Sequence, residues 1–327
     1  MLAAGALSFA AVAPVAAHGE KAARWRPWLH MRGVVDVAGP RSDGRLVVAA
    51  RGRLFLVRTA DARPSPYPSA TVAYRASASL EPYIAVAGRR QRVPAAHCGF
   101  PRDNVYAIEP AGRVRVLSIT PAGRVSPLAA IPAVKTLNGI AFDTTGRFGG
   151  RLIVVGLTRG GRGVVASVDC RRRVRIHTRA APHLEGGLAV APPGFGAFAG
   201  DVLAPDEVDG RLIAIAPDGG IRDVVDPGQP AGGDVGVESL GFVPSARASA
   251  YLADRGTPGN ANPGHDEILR LGADALAAAG VAPGDLLATL EGGGATIAVR
   301  CGAACSVRTI ATAPAGAHAE GAISFAP

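Results

Sequence analysis

The sequence predicts an all-β protein, a β-propeller of six four-stranded blades around a central channel. Three observations predict it. A turn–strand–turn–strand unit recurs six times, successive copies beginning about fifty residues apart and the last interval shorter. Its strand segments are apolar on both faces rather than alternating, as expected when each sheet packs between two others. The 43 glycines and 26 prolines supply turns without the every-third-residue glycine of collagen.

The copies run in order. Gly44-Arg-Leu-Val-Val-Ala-Ala leads to Gly52-Arg-Leu-Phe-Leu-Val57, and Asn104-Val-Tyr-Ala-Ile leads to Gly112-Arg-Val-Arg-Val-Leu. Gly150-Arg-Leu-Ile-Val-Val leads to Gly163-Val-Val-Ala-Ser-Val, and Gly200-Asp-Val-Leu-Ala leads to Gly210-Arg-Leu-Ile-Ala-Ile. Ser249-Ala-Tyr-Leu-Ala-Asp leads to Asp266-Glu-Ile-Leu-Arg-Leu, and Gly284-Asp-Leu-Leu-Ala leads to Gly294-Ala-Thr-Ile-Ala-Val. A second element precedes most copies. It is a polar residue, usually Glu, then a small turn residue and an apolar strand: Leu80-Glu81-Pro-Tyr-Ile-Ala, Leu137-Asn138-Gly-Ile-Ala-Phe, Leu184-Glu185-Gly-Gly-Leu-Ala, Val237-Glu238-Ser-Leu-Gly-Phe and Ala319-Glu320-Gly-Ala-Ile-Ser-Phe. No such glutamate precedes Gly284, and the first copy has only Arg32-Gly33-Val34 in its place, so five or seven blades also fit. The terminal Glu320–Phe325 strand is expected to close the ring beside the first strands. One helical piece is expected, Ala273–Ala279, inside an insertion.

Composition excludes several classes. With 48% hydrophobic and 19% charged residues the chain is too apolar for a disordered protein. Beyond the first twenty residues no apolar run is long enough to span a membrane. The formal charge is +9, but its arginines are scattered through turns and aromatics are only 5%, which argues against nucleic-acid binding. The densest run, Arg171-Arg172-Arg173 beside Arg175, reads as a solvated hairpin turn. Only Lys21 and Lys135 are lysines, and an Arg, Ala, Gly and Pro bias of this kind fits a GC-rich genome.

Residues Leu2 to Ala17 are apolar and small, with Val15 and Ala17 at the −3 and −1 positions of a signal-peptidase site. No Lys or Arg precedes them, and a buried N-terminal helix is the alternative. The expected organisation is a signal peptide over 1–17, an N-terminal segment over 18–32 and one propeller domain over 33–327, secreted or periplasmic. A monomer is expected. The four cysteines suit an exported protein with disulfides. Cys301 and Cys305 lie in a short loop between strands and can staple it, which leaves Cys98 with Cys170. The CxxxC spacing lacks the second ligand pair of a zinc site.

Asn138-Gly-Ile-Ala-Phe-Asp143, Glu185-Gly-Gly-Leu-Ala-Val190 and Tyr251-Leu-Ala-Asp-Arg255 resemble the blade motifs of NHL-repeat propellers, and are similar to the SMP-30/gluconolactonase/paraoxonase-like group. The resemblance covers most of residues 30–327 and speaks to blade grammar. It implies a metal on the propeller axis, with Glu81, Asn138, Glu185 and Glu238 as ligands, though Glu stands here where those families often carry Asn or Asp.

The residues themselves point the same way. In a propeller the turn into each innermost strand forms one mouth of the channel. Glu81, Asn138, Glu185, Glu238 and Glu320 would then ring one opening. Facing carboxylates repel and raise one another's pKa unless a cation neutralises them, and calcium is the hard-ion choice for oxygen ligands. His183-Leu-Glu185 and His318-Ala-Glu320 are both His-x-Glu, and in extended backbone residues i and i+2 face one side. His183 and His318 are therefore candidate general bases or ligands. The inert alternative is that the glutamates accept backbone amides of the next blade and the histidines sit in turns.

Other motifs carry less. There is no G-x-S-x-G, Walker A or HExxH sequence, and nothing supports a quinone cofactor. Gly194–Gly200 leads into a strand, not a helix. Asp206-Glu-Val-Asp209-Gly210 lacks EF-hand spacing and reads as a hairpin turn. The polar insertion Gly256–Glu267 is either a binding loop or a tolerated surface loop. The two functional expectations are an exported, cation-dependent lactone or ester hydrolase, and a non-catalytic module binding a small molecule, glycan, peptide or envelope partner.

Overall fold

The computed structural model describes residues 22–68, 81–89, 91–109, 114–132 and 134–327. The proposed leader over 1–17 lies outside them. Among the described residues the strands form six blades around one axis.

Blade one takes Val34–Ala38, Leu46–Ala50, Arg53–Arg58 and Arg63–Pro66 from inside to outside. Blade two takes Ile84–Val86, Val105–Glu109, Arg115–Ile119 and Val125–Ala130. Blade three takes Thr136–Phe142, Leu152–Leu157, Gly163–Val168 and Val174–Ala181. Blade four takes Ala189–Val190, Val202–Asp206, Arg211–Ile215 and Ile221–Asp223. The inner and second strands are buried on both faces because each sheet is covered by the next, so Leu46–Ala50 and Val202–Asp206 expose no residue. The outermost strands face water. Three of them contain proline, at Pro64, Pro127 and Pro27, which an edge strand tolerates because one side of its backbone has no strand to bond.

Blades five and six are interleaved. Val237–Phe242 is the inner strand of blade five, but the hairpin that follows it, Ser249–Asp254 with Glu267–Leu271, pairs in blade six. After the helix Ala273–Ala278 the chain returns to blade five with Leu286–Leu290, Ala295–Cys301 and Cys305–Thr312. Ala319–Ala326 then becomes the inner strand of blade six. This exchange explains why no glutamate element precedes Gly284: the inner strand of that sheet is Val237–Phe242, already placed before the inserted hairpin.

Both ends of the chain close the ring. Arg26–His30 is the outermost strand of blade six, whose innermost strand is Ala319–Ala326. Ala23–Arg24 adds in parallel to Cys305–Thr312, and the Trp25 indole N–H donates to Thr296 Oγ1 at 2.7 Å. The described part of the N-terminal segment, residues 22–32, thus contributes strands to two blades. The terminal strand also lies against Val34–Ala38 of blade one, and Ser324 Oγ donates to the Val37 carbonyl at 2.6 Å.

The disulfides are Cys98–Cys170 and Cys301–Cys305. The first ties an insertion hairpin of blade two, Arg92–Val93 with Cys98–Gly99, to the outer turn of blade three. It closes 72 residues against 4 for the second. Chain entropy assigns about 4 kcal/mol to the long loop and about 2 kcal/mol to the short one. Replacing Cys98 and Cys170 by serine should therefore lower the unfolding free energy more than replacing Cys301 and Cys305, as read by denaturant titration of the two double variants.

Candidate functional site

The inner strands start at one mouth of the channel, and three of them carry a bulge near that end. The ladder between first and second strands slips by one residue at Val35 in blade one, Asn138 in blade three and Glu238 in blade five. A bulge of this kind re-aims one side chain out of the ladder. Glycines make room beside it. Gly186 has φ +76°, and a Cβ there would stand 2.1 Å from Glu238 Oε1. Gly321 has φ +67°, and a Cβ there would stand 2.3 Å from Asp36 Oδ1.

Asp36 is the tie at the ring's closure. Its carboxylate accepts the amides of Val37 at 2.8 Å, Ile84 at 2.7 Å and Ala322 at 3.0 Å, joining blade one to both neighbours. Burial pushes it up to about 7 although the three amides favour its charge. This bridging of blades is the inert role open to the ring glutamates, and here an aspartate plays it.

The glutamates do something else. Glu81, Glu185, Glu238 and Glu320 line a cavity of about 160 Å³ together with Tyr83, Glu207, Asp234 and Glu291. Their partners are mostly side chains. The Tyr83 hydroxyl lies 2.7 Å from Glu320 Oε2, 3.0 Å from Glu238 Oε1 and 3.3 Å from Glu81 Oε2. Arg255 Nη1 reaches Glu81 Oε1 at 2.6 Å and Glu320 Oε1 at 2.7 Å. Asn138 Nδ2 donates to Glu185 Oε1 at 3.0 Å, and His183 Nε2 is 3.2 Å from Glu185 Oε2. His318 Nε2 lies 3.0 Å from Glu291 Oε1 and 3.5 Å from Glu320 Oε1. Glu207 Oε1 accepts the Asp234 amide at 2.5 Å.

Of the residues expected from sequence, the four glutamates converge in the cavity. Asn138 and His183 stand behind Glu185, and His318 stands behind Glu320. Tyr83, Glu207, Arg255 and Glu291 were not expected. Glu207, Arg255 and Glu291 each follow directly on the second strand of a blade, so aligning the copies on that strand would have exposed them. Glu207 belongs to the acidic turn after Asp206. Asp206 itself accepts the Asp209 amide and pairs with Arg211, as a hairpin turn requires. In the polar insertion His265 is held by Asp254, 2.8 Å from Oδ2, and Asp266 accepts the Gly33 and Gly256 amides, so both ends of that loop are tied down.

Six glutamates face Arg255, His318 and His183, so the cluster cannot be fully ionised without help. Burial, then the charges of Glu320 and Glu185, push Glu81 up to about 8. Burial and the hydrogen bond with Glu291 push Glu207 up to about 10. Burial and the surrounding glutamates hold Glu238 well above the carboxylate range. The Tyr83 hydroxyl has one proton to give. If it donates to Glu320, its contact with Glu238 requires Glu238 to be the donor, which agrees with a neutral Glu238. Burial works against charge on His318, but its hydrogen bonds to Glu291 and Glu320 outweigh this and raise it to about 10. Burial likewise works to raise Glu291, and the hydrogen bonds from His318 and Glu207 outweigh it and hold Glu291 below its ordinary value. The hydrogen bond to Glu185 raises His183.

This donor set fits a divalent cation. It is rich in carboxylate oxygens, Glu238 Oε2 is buried with no hydrogen-bond partner, and ligand atoms of Glu291, His318 and Glu320 lie within 4.8 Å of one another. Fold and site together define a six-bladed β-propeller with an acidic pocket on its axis. Its fold is that of the SMP-30/gluconolactonase-like propellers. A gluconolactonase from Xanthomonas campestris superposes with a TM-score of 0.50 over 88% of this chain and 78% of its own, at 11% identity. The calcium-binding regucalcin of Agrobacterium tumefaciens str. C58 gives a TM-score of 0.40 at 14% identity, over 73% of this chain and 74% of its own. A catalytically inactive virginiamycin B lyase from Staphylococcus aureus, with quinupristin, gives 0.44 at 11% identity over 72% of this chain. This chain spans 64% of that lyase, less than two thirds of its length. At such identities the likeness is one of fold. No family profile matches the sequence, and no curated protein matches it.

The raised groups fix a pH dependence. Glu81 and Asp36 hold protons in the folded state up to about 8 and about 7 that the unfolded chain releases near 4. His318 holds its proton up to about 10 in the folded state, against 6.5 unfolded. Both contributions are present at low pH and lost as pH rises. Without divalent cations the melting temperature should fall between pH 5 and pH 9, and Glu238→Gln should reduce that fall. A flat profile for the parent protein would contradict the assigned protonation.

Proposed function

We propose that this propeller is an extracytoplasmic protein that binds a divalent cation, calcium, in the axial cavity and hydrolyses a lactone or ester at that mouth. The observation that carries the reading is the excess of buried carboxylates over their cationic partners, with one Glu238 oxygen left unpartnered. Export is supported by the two disulfides and by the leader-like residues 2–17. No helix among the described residues is long and apolar enough to cross a membrane.

Glu185, Glu207 and Glu238, with Glu291, are the cavity carboxylates that Arg255 does not engage, and with Glu81, Glu320 and Asn138 they form the ligand set. A bound divalent cation would polarise the carbonyl of the substrate. The chain's own groups have separable duties. Arg255 Nη1 bridges Glu81 and Glu320 and fixes their carboxyl groups against each other. His318, raised to about 10, keeps its proton between Glu291 and Glu320 at neutral pH. In this reading His318 donates a proton to the leaving alkoxide, and His183 beside Glu185 accepts one from water.

A second reading has its own support. A cavity of about 160 Å³ is below the usual size of an organic ligand pocket, roughly 300–1,000 Å³. It suits an ion better than a substrate, which favours a cation-stabilised module that binds its partner elsewhere. The two readings diverge in one set of measurements. Both expect bound metal in the purified protein and a melting temperature that rises with Ca²⁺ and falls with EDTA. Only the first expects EDTA-sensitive hydrolysis of simple lactones or aryl esters, falling at least tenfold in His318→Ala and His183→Ala. Metal binding without turnover selects the second, and absence of any metal response rejects both.

A further inference from the structure

A second cavity, of about 660 Å³, lies away from the axis at the outer edge of blades five and six. It is lined by Arg24, Arg26, Arg247 and Arg270, with Trp28 and Ser249. Three separate stretches of chain supply the four arginines: the N-terminal strands, the turn before Ser249–Asp254, and the strand Glu267–Leu271. None of the four forms an ion pair among the described residues, a state they share with other exposed arginines such as Arg53 and Arg124; what sets them apart is that they line one cavity. Asp274 is the one acidic side chain on the rim.

The strand register adds an independent observation. Arg26 and Arg270 stand directly opposite each other on neighbouring strands of blade six. Like charges in facing positions repel, so the pairing is unfavourable unless something negative sits between them. Trp28 packs edge-on against Tyr251 with ring centroids 4.8 Å apart, and Arg270 Nη2 donates to Ser249 Oγ at 3.0 Å, which fixes the direction of its guanidinium.

We infer that this cavity is a binding site for a ligand bearing phosphate or sulfate groups, gripped between Arg26 and Arg270 and steered by Arg24 and Arg247. Guanidinium forks match tetrahedral oxyanions bidentately, and two facing forks can share one dianion. The site is independent of the axial cluster and of any activity there.

The test uses the full chain and two labelled probes, inorganic polyphosphate and dextran sulfate, with neutral dextran as the blank. Both charged probes share the oxyanion chemistry, and the tighter one names the source as phosphate or sulfate ester. The double variant Arg26→Ala with Arg270→Ala should weaken the tighter probe at least tenfold. Its melting temperature should be no lower than that of the parent, because a repulsive pair has been removed. Arg171→Ala with Arg175→Ala removes the same charge from a distant turn and should change affinity less than threefold. Should the first double variant fold poorly, Arg247→Ala, in an exposed turn, carries the same expectation with a smaller loss. The inference is overturned if neither charged probe binds better than neutral dextran, or if the Arg26/Arg270 variant binds like the parent. Equal losses in the control pair also overturn it, since net charge alone would then explain binding.

Discussion

Six inner strands have to meet at one axis, and the closure between the first and last of them rests on the buried carboxylate of Asp36. It accepts amides from its own strand, from blade two and from the terminal strand of blade six. The same closure draws the mouth of the channel tight. Gly186 and Gly321 are required there because any Cβ would collide with Glu238 or Asp36. The spacing of the acidic side chains is thus a by-product of how the ring is shut.

Tightness has an electrostatic consequence. Carboxylates that would titrate independently on a surface are forced to share protons, Tyr83, Arg255 and His318. The cluster then separates into unlike members. Glu291 is kept ionised by His318, while Glu207 beside it keeps its proton. Pairs of titratable groups pushed in opposite directions are what acid–base chemistry needs, and also what a cation would replace. This is why the same geometry supports both a hydrolytic and a purely cation-binding reading.

The blade count and the converging glutamates were legible in the sequence because both are repeated, and a repeat averages over local noise. Glu81, Glu185, Glu238 and Glu320 stand in one sequence context and reach one place. Asp36 was hidden because blade one carries Val35 at the bulged position and shifts its carboxylate one residue on. Glu207, Arg255 and Glu291 were hidden because the position after the second strand varies in chemistry, with Arg51 and Thr158 in blades one and three. The interleaving of blades five and six could not be read at all. Hydrophobic pattern specifies that Ser249–Asp254 is a buried strand, but not which of two equivalent neighbours it joins.

The two ends of the channel differ in kind. The mouth where the inner strands begin is acidic. The mouth where they end is an apolar cavity of about 620 Å³, lined by residues such as Ile140, Phe142, Leu188, Phe242 and Phe325. The apolar mouth offers no carboxylate, so a cation entering the channel meets its ligands at the acidic side.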